Sequence, residues 1–199
     1  LLQAMAGIAT DSGDTLKCIR AGSTKIMFIY RQNIYFVVIT KVDEPEAVLE
    51  KQLCFIYSQM LFILTSKIHT VLENNPAKDV RHLIGDDTIT LISSAFVKEI
   101  TAPHVALTGL EVCVLDAKDR QHMVHAVTSA VLESNSIAGI LVYKDTLVAY
   151  HVDVTLGVTI STNDLLLLTQ FVNKSKALRY HDETWVPICL PDFNPDAFM

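Results

Sequence analysis

Residues 46–73, EAVLEKQLCFIYSQMLFILTSKIHTVLE, restrict the fold more than any other part of this chain. The segment reads as one long helix. Asp43 and Glu44 stand before it as cap residues, Pro45 suits a first helical turn, and Asn74-Asn75-Pro76 stops it. Its apolar residues fall on two stripes. One is Leu49, Leu53, Ile56, Met60 and Ile63; the other is Cys54, Tyr57, Leu61, Leu64, Ile68 and Val71. A helix that is apolar on two sides must be buried on two sides. One stripe can cover a sheet, and the other requires a second helix or a partner chain. The charge-free run from Gln52 to Ser66 is shorter than the ~20 residues of a spanning helix. It also carries Ser58, Gln59 and Thr65, so it reads as a buried helix.

The flanking sequence supplies the sheet. Leu1–Ala9 reads as the tail of a helix ended by the turn residues Asp11-Ser12-Gly13-Asp14. Leu16–Arg20 alternates apolar and polar, as a strand buried on one face does. After a turn at Ala21-Gly22-Ser23, Ile26–Tyr30 and Ile34–Ile39 are continuous apolar runs joined by Arg31-Gln32-Asn33. They predict a hairpin covered on both faces. Asp79 to about Ile100 reads as a further helix, broken or kinked near Gly85-Asp86-Asp87. Beyond a boundary near residues 101–109 a second series begins: a strand over Leu110–Leu115, a helix over Asp119–Glu133, and a hairpin over Ile137–Val152. A helix over Leu165–Val172, capped by Ser161-Thr162-Asn163-Asp164, and a last strand over Trp185–Leu190 complete it. The expectation is an α/β (α+β) protein of two small modules, residues 1–102 and 103–199.

Composition narrows the function. Half the chain is hydrophobic and 19% is charged, which is a folding composition. The formal charge of −6 argues against nucleic acid and against direct binding of acidic lipid. Cys18, Cys54, Cys113 and Cys189 are spread singly and read as reduced core thiols of an intracellular protein. No signal or transit peptide is expected. The chain opens without an initiator Met, and both ends read as cut from something longer.

The search for chemistry returns weak alternatives. No Gly-rich phosphate loop, nucleophile elbow or H-E-x-x-H is present. His122 and His125 share a predicted helix face near His104, with Asp116 and Asp119 as the remaining donors of a hypothetical metal site. Zinc asks for better-ordered ligands than these, and the histidines read as surface or half-buried side chains. Cys113 with His104, His122 or His151 is a poor hydrolase, because its apolar neighbours Val112 and Val114 make a thiol inert. Lys17, Arg20, Lys25 and Arg31 form a small basic cluster. With Phe28, Tyr30 and Tyr35 it reads as a solvated sheet edge or a site for an acidic partner rather than a base-stacking surface. No catalytic residue, cofactor or metal is expected.

The most specific stretch is the last one, Thr184-Trp185-Val186-Pro187-Ile188-Cys189-Leu190-Pro191-Asp192-Phe193-Asn194-Pro195-Asp196-Ala197-Phe198. It closely resembles the W-x-P-[IV]-C-L-P-x-F-N-P-x-x-F signature of the SAND family of vacuolar fusion proteins, the Mon subunits of the Mon–Ccz Rab exchange factor. Leu16–Gly22 is similar to the family's R-C-I-R-A-G strand, and the order of elements between the two agrees. The resemblance implies longin-like domains, each an antiparallel sheet packed with helices. Here they would be the first without its opening hairpin and most of the second. It implies a guanine nucleotide exchange subunit without covalent catalysis, paired with a Ccz-type longin subunit and acting on a late-endosomal Rab GTPase. Such a protein would be cytoplasmic and recruited peripherally, through its complex, to late-endosomal or vacuolar membranes. The competing reading is a longin-type adaptor or tether with no effect on nucleotide state. By the same resemblance the GTPase or partner interface would use Gln3, Met5, Ile8, Asp11, Lys17 and Arg20. Met5 and Ile8 could equally be core, and Lys17 and Arg20 a solvated strand face. Trp185 and Phe193 read as anchors that dock the exit strand.

Overall fold

A computed structural model describes residues 17–32, 34–75, 107, 109–144, 146–174 and 185–198. The helices expected over Leu1–Ala9 and Asp79–Ile100 lie outside the described residues, as do Gln3, Met5, Ile8 and Asp11.

The first sheet is an antiparallel meander of β1 (Cys18–Ala21), β2 (Thr24–Arg31) and β3 (Ile34–Thr40), in that order. Gly22 makes the first turn with φ +61°, a left-handed conformation that glycine adopts without a Cβ clash. Ile19 faces Ile26 across β1–β2, and Phe28 faces Val37 across β2–β3. The two apolar runs differ in cover. Met27, Phe28 and Ile29 are all buried, so β2 is covered on both faces as expected. Strand β3 instead alternates half-buried with exposed, leaving Tyr35, Val37 and Ile39 in solvent. Among the described residues it is an edge strand, and its exposed face corrects the expectation of two covered faces.

The long helix is two helices, α1 (Glu46–Leu64) and α2 (Lys67–Asn74). Thr65 interrupts them with φ +58° and ψ 174°, a region that disfavours a β-branched residue. No side chain caps α1; Val48 N–H donates to Pro45 O at 3.0 Å, and Asp43 is engaged elsewhere. Three faces are buried, not two. Leu49 and Leu53 pack on Met27 and Ile29 of the sheet. Leu61, with Tyr57 and Leu64 beside it, packs on Ile68 and Leu72 of α2. Phe55 and Phe62 form a third face, i to i+7, directed away from the first sheet. Although α1 is long and apolar enough to cross a membrane by composition, its sides are occupied by these clusters.

In the second module α3 (Ala117–Glu133) lies on the hairpin of β4 (Ala138–Tyr143) and β5 (Thr146–Val152). Asp116 caps α3, its carboxylate accepting from Asp119 N–H at 3.0 Å. Gly139 allows the close approach: a Cβ there would stand 2.5 Å from Val131 Cγ2 and 3.1 Å from Val127 Cγ1. The expected strand over Leu110–Leu115 is reduced to a parallel bridge, Val112 to Leu147, with Cys113 N–H donating to Leu147 O at 2.8 Å. Helix α4 (Thr162–Lys174) follows, with Ser161 Oγ accepting from Asp164 N–H at 3.0 Å.

Helix α4 is what covers the third face of α1. Phe55 and Phe62 share a core with Leu166, Leu167 and Leu190; Phe62 and Phe171 rings lie 5.4 Å apart, and buried Gln59 donates to Gln170 at 3.4 Å. Of the two covers that a multiply apolar helix required, the structure uses a second helix of the same chain.

Candidate partner-binding surface

Two places gather the residues singled out from the sequence: the basic end of the first sheet and the seat of the closing segment. At the sheet end, the β1–β2 register sets Arg20 opposite Lys25, and the chain leaving β3 brings Asp43 over both. Asp43 Oδ1 accepts from Arg20 Nη2 and from Lys25 Nζ, each at 3.1 Å. Lys25 is only 4% exposed, and its ammonium also donates to Glu44 O. A buried ammonium requires such partners, because desolvating it unpaired is costly. The hydrogen bond from Lys25, together with the Arg20 charge, holds the Asp43 carboxyl below the usual range. Lys25 is therefore a structural pin for the β3–α1 connection, while Arg20 stays largely in solvent. Lys17 is exposed, and its carbonyl accepts from Phe28 N–H at 2.9 Å. Arg31 lies at the far end of β2, so the sequence cluster of four divides. Arg20, Lys25, Lys41 and Asp43 share a recess of about 280 Å³ with the Gly22-Ser23-Thr24 turn. Lys41 is the residue that sequence reasoning missed; it follows Thr40, the strand partner of Lys25, and lines the recess with Arg20.

The closing segment is no strand in the described residues. It is a series of turns seated on the break between α1 and α2. Past Leu64 the helical ladder fails, so Phe62 O is left for Cys189 N–H (3.0 Å), and Ser66 N–H donates to Pro195 O (2.7 Å). Ser66 Oγ also donates to the Asp196 carboxylate. The broken helix thus offers orphan backbone groups, and the segment satisfies them. Cys189 is fully buried, its Sγ near the carbonyls of Asn194 and Pro195, and burial pushes the thiol up to about 11. On the α4 side Asp192 accepts from Ser161 Oγ at 2.7 Å and Asn163 Nδ2 at 3.3 Å. Its own N–H donates to Asp164 Oδ1 at 3.3 Å. Asp164 is fully buried, Oδ2 has no hydrogen-bond partner among the described residues, and desolvation raises its carboxyl to about 6. Phe193 packs against the shared core and anchors the segment as expected. Trp185 does not: it is 90% exposed, because contact with α1 begins only at Ile188 and Cys189. Beside this seat an open apolar groove of about 680 Å³ separates Ala138, Ile140 and Val142 of β4 from Leu168, Val172 and Ile188.

The other sequence candidates stay apart. His122 and His125 are exposed, and His104 lies outside the described residues. Among the described residues no three His, Cys, Asp or Glu side chains are grouped to hold a metal ion. Cys113 is half-buried, with its carbonyl accepting from Arg120 Nη2 at 2.7 Å. Both places hold segments of this chain together by hydrogen bonds, ion pairs and apolar contact.

Comparison with known proteins agrees with the fold. Residues 1–94 match the first longin domain of FUZ, MON1 and HPS1, and residues 134–199 match the second longin domain of the same proteins. The vacuolar fusion protein MON1 homolog of Arabidopsis thaliana is 31% identical over 202 residues, covering 100% of this chain and 32% of the relative. The homolog of Oryza sativa subsp. japonica is 28% identical over 201 residues, covering 100% and 34%. Vacuolar fusion protein MON1 of Yarrowia lipolytica is 30% identical over 194 residues, covering 96% and 35%. The protein SAND of Takifugu rubripes is 22% identical over 210 residues, covering 100% and 38%. The chain spans about a third of the length of these relatives. With both longin matches and these relatives along its whole length, the chain belongs to the MON1/SAND family.

Proposed function

We propose that this chain acts in vacuolar fusion and membrane trafficking as part of a guanine nucleotide exchange subunit. It pairs with a Ccz-type longin subunit and stabilises the nucleotide-free state of a late-endosomal Rab GTPase, serving endosome maturation and vacuole fusion. The observation that carries the reading is the run of similarity over the whole chain, through both longin modules, to proteins named for vacuolar fusion. Exchange needs no covalent step. A factor that binds the empty GTPase more tightly weakens nucleotide binding by the same factor, because linkage is reciprocal. Surfaces that grip protein segments are sufficient for this, and Lys17 and Arg20 on the exposed sheet end are its GTPase- or partner-facing residues in this reading, with Gln3, Met5, Ile8 and Asp11 before them. Membrane contact is made through the complex, by peripheral recruitment from the cytoplasm.

The test is release of fluorescent GDP from the late-endosomal Rab, mixed with the co-expressed full-length pair. Release at least tenfold above the spontaneous rate is expected. Release at the spontaneous rate sinks exchange and leaves the longin-type adaptor or tether.

A further inference from the structure

The recess at the end of the first sheet has a charge balance that its structural duties do not use up. Its wall holds three cations, Arg20, Lys25 and Lys41, against one carboxylate, Asp43. Lys25 is spent on Asp43 and Glu44 O. Arg20 gives Asp43 a single contact from Nη2, and a guanidinium carries five N–H donors. Lys41 is exposed at the mouth and makes no ion pair among the described residues. The hydroxyl residues Ser23 and Thr24 and the Gly22 turn close the remaining side. A concave site with an excess of about two positive charges, in a chain whose net charge is −6, is a place for an anion.

We infer that this recess, with Arg20 and Lys41 as its paired cations, receives a carboxylate-bearing segment of a partner protein. The surroundings favour a protein over a membrane. Anionic membranes select clusters of four to eight Lys or Arg on one face. Here a carboxylate stands among only three cations, and the exposed apolar side chain of Val42 lines the recess beside them. Cations beside an apolar margin are the composition of a protein interface, with Arg enriched and the rim polar. Asp43 sharpens the selection. It is held ionised between Arg20 and Lys25, so an entering carboxylate meets Arg20 and Lys41 at the outer side and is kept from the pinned ammonium. Residues of acidic and apolar character in alternation satisfy both parts of the site.

This inference rests on the partner-facing role proposed for Arg20, but its test uses no GTPase, so its failure and the failure of exchange are told apart. The full-length protein is titrated into fluorescein-labelled hexaglutamate at low ionic strength, with fluorescence anisotropy as the readout. Lys41→Glu is the informative variant because Lys41 is exposed and makes no ion pair among the described residues, so folding is preserved. Lys118→Glu, on exposed α3, makes the same change in net charge away from the recess. The expected result is binding by the wild type that weakens about tenfold or more in Lys41→Glu and Arg20→Glu, stays unchanged in Lys118→Glu, and fades with added salt. Equal binding by Lys41→Glu and the wild type overturns the inference. So does absence of wild-type binding to the peptide. A parallel arm measures co-sedimentation with vesicles containing phosphatidylserine: if Lys41→Glu abolishes that while peptide binding is unaffected, the recess is a membrane site and the inference is wrong.

Discussion

Replacing the buried carboxylate Asp164 by asparagine tests how the closing segment is seated. Asp164 is fully buried, its Oδ2 has no partner among the described residues, and its carboxyl is raised from 3.8 to about 6 by desolvation, with the Asp192 charge adding to the rise. Hydrogen bonds from the Asp192 and Phe193 amides and from Ser161 oppose the shift without cancelling it. A folded-state value above the unfolded one means the native protein holds a proton that the unfolded chain has released. Stability from this group is therefore greatest below about pH 4, declines as pH rises towards 6, and is at its lowest above that. That rise corresponds to at most about 3 kcal/mol, and relaxation around the ionised carboxylate reduces it to on the order of 1–2 kcal/mol. Asp164→Asn keeps an oxygen to accept from Asp192 N–H and removes the titration. Urea denaturation of wild type and variant at pH 4.5 and pH 7.5 measures the effect. The stability of the variant relative to wild type should improve by on the order of 1–2 kcal/mol between the lower and the higher pH. Taking the difference between the two proteins removes the opposite contributions of Asp43 and Asp153, whose carboxyls are lowered. A difference that does not change with pH would refute the reasoning, since it would mean that the Asp164 carboxyl ionises normally in the folded protein.

Two further substitutions probe the packing. Gly139→Ala drives a Cβ to within 2.5 Å of Val131 Cγ2 and should cost about 1–3 kcal/mol in urea denaturation; combining it with Val131→Ala should recover much of that loss, and additive costs would count against the close approach. Thr65→Gly should leave the protein more stable than Thr65→Ala by about 1 kcal/mol, the reverse of the order in a regular helix, because only glycine adopts that backbone without strain. Thermal unfolding of the two variants side by side decides it.

The local elements were legible because their causes are local. The β1–β2 turn needs Gly22, α3 has Asp116 as its cap, and the hairpin of β4 and β5 follows from apolar runs around a short turn. That α1 must be buried on several sides was also a sequence property, since no single sheet covers so many apolar residues. The third face was not legible, because Gln52 and Gln59 make it look polar; only the arrival of α4, with Gln170 to pair Gln59, makes burying it favourable. The break at Thr65 was hidden for a related reason. Helix propensity carries the pattern through 46–73, and the break persists because Pro195, Asp196 and Cys189, more than a hundred residues away, take up the backbone and side-chain groups it exposes. Similarly, Lys17, Arg20, Lys25 and Arg31 are one cluster in sequence but two places in space, and Lys41 shares a recess with Arg20 only because β3 runs back beside β2 and ends there. Sequence alone thus determined the first-sheet strands, the β4–β5 hairpin, helices α3 and α4, and that α1 needed several neighbours. Tertiary structure decided which neighbours those are, where the helix stops, and which charges face a partner, because each of these depends on hydrogen bonds and apolar contacts between residues distant in the chain.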